Sequence, residues 1–388
     1  MGTHRPLSRC GNGNRAGNLT RTWARTCMSK VIVGLSGGVD SAVAALLLKQ
    51  QGHEVAAAFM KNWDEDDAEG YCPAEEDLAD ARAIAEHLDI ELHTVSFSVE
   101  YWNRVFAHFL DECKAGRTPS PDIICNREIK FRAFLDYATD LGADLIATGH
   151  YARIENTPTI RLLKGVDARK DQTYFLHTLT REQLQRSLFP LGELAKTAVR
   201  KLAESEGFRN HAKKDSTGIC FIGERRFSEF LARYLEKNPG EIRTLDNEII
   251  GQHDGLMFYT IGQRQGLGIG GRRGSSGEAW YVVSKDLAHN ILIVAQGVNH
   301  PALFSPGLRA SQLHWIAGAP AGARCECTAR IRHQQPVQAC TLDIINEQEC
   351  RVRFKTPQRA VTPGQSVVFY QGEECLGGAI IEAAVTDI

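Results

Sequence analysis

The chain has 388 residues, of which 43% are hydrophobic and 24% charged, and its 45 Lys+Arg against 47 Asp+Glu leave a formal net charge of −2. Such a length holds two or three domains with ordinary cores, the composition is too apolar for a disordered chain, and no apolar run reaches the ~18 residues of a membrane-spanning helix. A net charge near zero excludes nucleic-acid binding by bulk electrostatics alone, although a local basic face remains open.

The leader, residues 1–29, carries Arg5, Arg9, Arg15, Arg21 and Arg25 without any acidic residue or apolar run. It is no secretory signal. It reads either as a mitochondrial transit peptide or as sequence upstream of a true start at Met28, and the strand that follows Lys30 favours the second, hence a cytoplasmic protein. From Met28 to Tyr151 strands and helices alternate. Strands are predicted at Val31–Leu35, Val55–Met60, Ile90–Val95 and Asp144–Thr148, and helices at Ala42–Gln50, Asp77–Leu88, Tyr101–Lys114 and Asn126–Leu141. That alternation predicts a doubly wound parallel sheet, with ligands at the carboxyl ends of its strands near Ser36, Met60 and Gly149.

A mainly helical stretch follows, with Arg181–Ser187, Glu193–Glu206 and Arg225–Glu236 reading as helices. Beyond Asn238-Pro239-Gly240 the texture becomes short strands between Gly, Asn and Pro turns, including Trp280–Val283, Ile291–Ala295, Arg324–Arg332 and Val367–Tyr370. These predict small β-domains of barrel type. The expected parts are a leader (1–29), an α/β domain (30–180), a central helical-then-β domain (181–300) and a C-terminal β-barrel (301–388). Charge divides unevenly among them: residues 30–115 hold 6 basic and 17 acidic residues, whereas 308–360 hold eight and four. A polyanion would dock on the later parts.

Residues Gly34, Leu35, Ser36, Gly37, Gly38, Val39, Asp40 and Ser41 join the first strand to the first helix. Paired glycines let a ligand approach the backbone, and a helix N-terminus offers unpaired N–H groups to phosphate. Asp40 can cap the helix or help hold Mg²⁺. The lysine of a Walker A loop is missing. In sequence the loop resembles the SGGxDS pyrophosphate loop of enzymes that split ATP between its α and β phosphates. The resemblance implies ATP and leaves the acceptor open.

The 11 cysteines include no C-x-x-C pair, which argues against a zinc or iron–sulfur site. Cys325 and Cys327 should share one face of a strand. Cys125 follows a stiff segment with Pro119 and Pro121; read as opening the helix to Leu141, with Arg127 and Lys130 nearby, it should have thiolate character, the competing reading being a small apolar capping residue. Cys220, between Gly218 and Gly223, reads equally as a presented thiol or a buried strand residue.

Beyond the loop, several segments occur in a telling order: FMKNW (59–63), GRTPSPDIICNREIKF (116–131), ATGHYAR (147–153), KDQTYFL (170–176), DSTGICFIGER (215–225), YTIGQRQGLGIGG (259–271), AWYVV (279–283) and TPGQSVVFY (362–370). Together with the loop they resemble the tRNA-specific 2-thiouridylase family, from about Lys30 to Glu382. The resemblance implies an ATP-pyrophosphatase domain, a central tRNA-binding domain and a C-terminal β-barrel. It implies thiolation of C2 of the wobble uridine in tRNAs for Lys, Glu and Gln, with ATP and Mg²⁺, and a sulfur-relay protein or cysteine desulfurase as persulfide donor.

Carried over by motif, Gly34–Ser41, Met60 and Gly149 would bind ATP. Ser120, Pro121 and Asp122 would lie at the target base, with Asp122 a candidate acid/base. His150, Lys170, Asp171, Gln172, Arg332, His333 and Gln365 would touch tRNA. Cys220 would carry the persulfide and Cys125 would close a disulfide with it. Ser120 stands where the family usually has Asn, and Arg332-His333 replaces a more common basic–aromatic pair. The DSTGICFIGER wording is nearer the bacterial branch of the family. Rival readings are an amide-forming ligase or another ATP-dependent RNA-modifying enzyme on the same loop; neither needs both cysteines.

Overall fold

Val31, Ile32 and Val33 have no solvent exposure, so the first strand (Lys30–Gly34) is apolar on both faces, as the interior strand of a covered parallel sheet must be. In the computed structural model, which describes residues 28–63, 73–156, 158–214, 227–269 and 277–386, that strand lies between Glu54–Lys61 and Leu145–Ala147. Leu92–Ser96 flanks one edge and Ser187–Leu188 the other, and every pairing is parallel. The order reverses at the first strand, which opens a crevice at its carboxyl end, between Gly34 and Ala147. The leader to Cys27 and the segment 215–226, with Cys220, lie outside the described residues.

The predicted strands of this domain are present within two residues at each end, and the differences fall on helices and on the chain after residue 180. The helix expected from Asn126 begins at Pro121, with Ser120 at its cap, and runs to Asp140. Proline's fixed φ and missing N–H suit a first helical position. Cys125 therefore sits in the second turn and not at the N-terminus, and from Asn126 to Ala133 the helix widens to i→i+5 turns. Residues 181–205, expected in the central domain, are built onto the first one. Ser187–Leu188 completes the sheet, and the helix Lys196–Ser205 buries Val199 and Ala203 in the cluster that contains the Val39–Gln50 helix.

The central β-domain pairs its strands in the order 280–286, 291–296, 240–244, 249–253. The C-terminal strands close a barrel in the order 304–315, 350–359, 338–344, 324–330, 366–371, 374–385, the last pairing back to the first. A hairpin from the first domain, Ala152–Glu155 with Arg161–Lys164, adds to the barrel strand 374–385 through Leu162↔Cys375 and Leu163↔Glu374. The first domain thus contributes two strands to the barrel's sheet, while its own parallel sheet stays separate. Cys325 and Cys327 do fall on one strand, half-buried, and Cys327 lies opposite Cys340 with the sulfurs 3.6 Å apart.

Candidate active site

The phosphate loop is fixed by its own hydroxyls and by a distant helix. Ser41 Oγ donates to Gly38 O at 3.1 Å, accepts from Ser36 N at 3.2 Å and lies 3.2 Å from Ser36 Oγ. Leu35 N donates to Ala58 O, and Leu35 and Val39 are buried, which seats the loop on the sheet. Gly37 has φ +73°, and a Cβ there would fall 2.3 Å from Asp77 O. A Cβ on Gly149 would sit 2.9 Å from Asp40 C and Ser41 N, so only glycine lets the fourth strand's exit touch the helix N-terminus. Met60 closes over Gly34, its Cε 3.0 Å from where a Cβ would be. The residues expected at ATP converge in one crevice.

Asp40 neither caps the helix nor stands open. The N-cap is Gly38, without a side-chain cap bond. Lys196 Nζ lies 2.8 Å from both Asp40 oxygens, and the Tyr151 hydroxyl donates to Oδ1 at 2.7 Å. Asn210 Nδ2 donates to Gly37 O at 2.8 Å, Lys213 pairs with Asp77 and Asp80, and Arg200 donates to the carbonyls of His211 and Lys213. Helix 196–205 and the turn after it therefore brace the loop from behind. Lys196, Asn210 and Lys213 belong to no glycine-rich motif, and sequence reading misses them; the only available signal was their concentration just before the DSTGICFIGER segment.

Helix 121–140 spans from this crevice to the acid and the cysteine. A Cβ on Gly34 would lie 3.4 Å from Phe134, and Phe131 packs with His150 at 5.7 Å between ring centres. About two to three turns earlier lie Cys125, 1% exposed, and Asp122, whose carboxyl is raised from its ordinary range because burial outweighs the nearby Lys130 charge. The same Lys130 and full burial hold His150 neutral, well below the usual histidine range, with Nδ1 2.7 Å from the Thr148 hydroxyl.

The loop leading into Ser120 is where all three domains meet. Thr118 N donates to Pro363 O at 2.9 Å, Gln365 Nε2 donates to Thr118 O at 2.7 Å, and Lys285 Nζ donates to Gly116 O at 2.8 Å. Thr118 and Thr260 hydroxyls are 3.3 Å apart. Ser120 and Pro121, the latter buried, leave this junction directly into the helix.

The residues expected at tRNA separate into two kinds. Asp171 is buried at 2% exposure: Oδ2 accepts from Arg330 at 2.7 Å, Oδ1 from the Thr173 hydroxyl at 2.8 Å, and its carbonyl lies 3.0 Å from His333 Nε2. Here it is a brace between the first domain and the barrel, not an RNA-facing group. His150 is likewise enclosed. Gln172 Oε1 accepts from Tyr151 N at 2.9 Å. Lys170, Arg332, His333 and Gln365 remain partly exposed, with Arg332 donating to Ala360 O and the His333 ring tilted at 44° against Phe175, 4.3 Å between ring centres.

Family models match in three consecutive pieces: the tRNA methyl transferase HUP domain over residues 29–224, the tRNA methyl transferase PRC-barrel domain over 228–296 and the aminomethyltransferase beta-barrel domain over 305–381. The tRNA-specific 2-thiouridylase MnmA of Methylococcus capsulatus is 61% identical, covering 91% of this chain and 96% of its own. That of Haemophilus influenzae is 59% identical over 92% and 94%. This chain belongs to the tRNA-specific 2-thiouridylase family. A third relative of that name, from Pseudomonas entomophila, is 59% identical over 92% of this chain and 95% of its own. The 2-thiouridylase likeness spans all three domains, and the first matched piece ends at residue 224, so it takes in the helix and turn that brace the phosphate loop.

Proposed function

We propose that this protein replaces the C2 oxygen of the wobble uridine (position 34) with sulfur in tRNAs for Lys, Glu and Gln, at the expense of ATP. The observation that carries the reading is a single helix, 121–140, with the phosphate loop packed against one end and a buried acid and cysteine at the other. ATP would lie along Gly34–Ser41 with its phosphates on the helix N-terminus, beside Met60 and Gly149. The uridine C2 oxygen is a poor leaving group. It attacks the α phosphorus, pyrophosphate departs, and the base now carries AMP, which leaves readily.

Ser120-Pro121-Asp122 would hold the splayed base, and Asp122, its pKa raised, is suited to exchange a proton at the uracil ring. The terminal sulfur of a Cys220 persulfide attacks C2 and expels AMP. Cys125 attacks Cys220 Sγ, breaking the S–S bond, leaving sulfur on the base and closing a Cys125–Cys220 disulfide. In a second order of events Cys125 attacks first and frees hydrosulfide, which then attacks C2. Either way a thiol reductant returns two electrons, and a relay protein or cysteine desulfurase reloads Cys220. These steps suit the cytoplasm, where such reductants are at hand.

Mg²⁺ does not find a cage here. Both oxygens of Asp40 are engaged by Lys196 and Tyr151, and among the described residues no three His, Cys, Asp or Glu are grouped to hold a metal. A magnesium ion entering with ATP would be held chiefly by the phosphates, and no step above runs through it. The test supplies persulfidated protein, ATP and unmodified tRNA, and reads 2-thiouridine by nucleoside mass spectrometry. Product without ATP, or from Cys220→Ser, would overturn the mechanism.

A further inference from the structure

Strand 350–359 of the barrel alternates between two environments. Val352 and Phe354 point into the barrel core, while Arg351, Arg353 and Lys355 point outward and are exposed. Successive outward residues on a strand stand about 7 Å apart, close to the separation of neighbouring phosphates along a nucleic-acid strand. Arg309 on the neighbouring strand is exposed and pairs directly opposite Arg351. Like charges opposite each other destabilise a sheet; on its other side Arg351 faces Asp343, a single carboxylate that lies 3.5 Å from Arg324, so the face keeps an excess of positive charge. Among the described residues, none of Arg309, Arg351, Arg353 and Lys355 has a carboxylate within ion-pair distance. The acids of this face are engaged elsewhere: Asp343 lies 3.5 Å from Arg324, and Glu326 accepts from the Thr341 hydroxyl at 2.7 Å.

The row is continuous with the candidate active site. The strand ends at Arg359, which donates to Val298 O and lies over the Tyr281 ring. Arg332 donates to the next residue, Ala360. Two turns of chain further, Pro363 and Gln365 hold the Ser120 loop. From Arg359 to Arg351 the strand, irregular between Gln358 and Arg353, runs alongside its partner from Phe304 to Arg309, about 17 Å. We propose that this outer face of the barrel, Arg309, Arg351, Arg353 and Lys355, is a docking surface for the sugar–phosphate backbone of tRNA outside the anticodon loop. It takes its partner from the function proposed above. The contacts are to phosphate alone, so the surface sets affinity and salt dependence for every tRNA alike and does not choose among them.

The experiment measures binding of full-length unmodified tRNA over a series of KCl concentrations, alongside 2-thiouridine formation. In Arg351→Ala/Arg353→Ala/Lys355→Ala, the slope of log affinity against log salt should shrink by about 2–3. KM for tRNA should rise about tenfold or more at low salt, with kcat kept at saturating tRNA. Arg351→Lys/Arg353→Lys should bind as the parent does, which separates charge from folding. Arg324→Ala, whose charge Asp343 already answers, should leave the slope in place. An unchanged slope in the triple variant overturns the surface. So does a defect confined to persulfide loading with tRNA binding intact, since that would assign the face to a protein donor. Failure of the parent protein to make 2-thiouridine would overturn the function and leave the salt slopes to judge the surface.

Discussion

Lys196 Nζ stands 2.8 Å from both carboxylate oxygens of Asp40, joining a helix of the chain's middle to the second residue of the phosphate-loop helix. An Asp near a helix N-terminus would otherwise compete with phosphate for the same backbone N–H groups. The lysine draws the carboxylate aside and leaves those groups open. Its side chain is 10% exposed and that of Asp40 32%, so the pair lies between the buried and surface regimes. Lys196→Met should cost about 2 kcal/mol in ATP binding, a rise of more than tenfold in Kd by titration calorimetry. Unchanged affinity would show that the pair holds the fold and not the loop.

Asp171 and Arg330 form the most enclosed ion pair between the first domain and the barrel, 1% and 10% exposed. Removing one partner of such a pair leaves a buried charge unanswered and costs about 3–5 kcal/mol. Asp171→Ala should therefore lower the melting temperature strongly and raise hydrogen exchange along strands 324–330 and 366–371. If Asp171 contacted tRNA instead, the same substitution would raise the Kd for tRNA and leave melting unaltered.

The sheet was legible in sequence because parallel strands buried on both faces are uninterrupted apolar runs, and Val31–Val33 and Val55–Phe59 are unmistakable. The phosphate loop was legible because it is local: Gly37 answers a positive φ and Ser41 bonds within five residues. The bracing role of Asp171 was not legible because its motif is equally local but its partner, Arg330, lies 159 residues away. Lys196 went unseen for the same reason. Cys125 was placed one turn early because the helix signal was counted from Asn126, although Pro121 is a favourable first residue and Ser120 an ordinary cap.

Asp122 carries a carboxyl raised by burial and pulled partly back by Lys130. Lys130→Met removes the charge that favours the ionised form, so the apparent pKa of Asp122 should rise further. Should Asp122 act as a base, the acidic limb of kcat/KM against pH moves to higher pH; should it act as an acid, the alkaline limb moves the same way. Single-turnover thiolation from pH 5 to pH 9 with preloaded protein reads the shift. A profile that keeps its position in Lys130→Met would remove Asp122 from proton transfer.

Lys285 joins the central β-domain to the Gly116 carbonyl, and burial brings its ammonium down to about 8 from an ordinary value near 10.5. Its neighbour Cys113 has a thiol pushed up to about 12 by burial and stays neutral, so among the described residues the cation has the Gly116 carbonyl but no ion-pair partner. Between pH 8 and pH 10.5 the unfolded chain binds more protons at this lysine than the folded one, and stability rises with pH across that window. Below pH 8 both states are charged and the full burial penalty stands. Wild type should therefore gain on Lys285→Met as the pH is raised from 7 to 9.5, with the gap between their melting temperatures changing in favour of wild type. A gap that is constant over that range would mean that the ammonium is solvated at the junction and that the three domains meet without a buried charge.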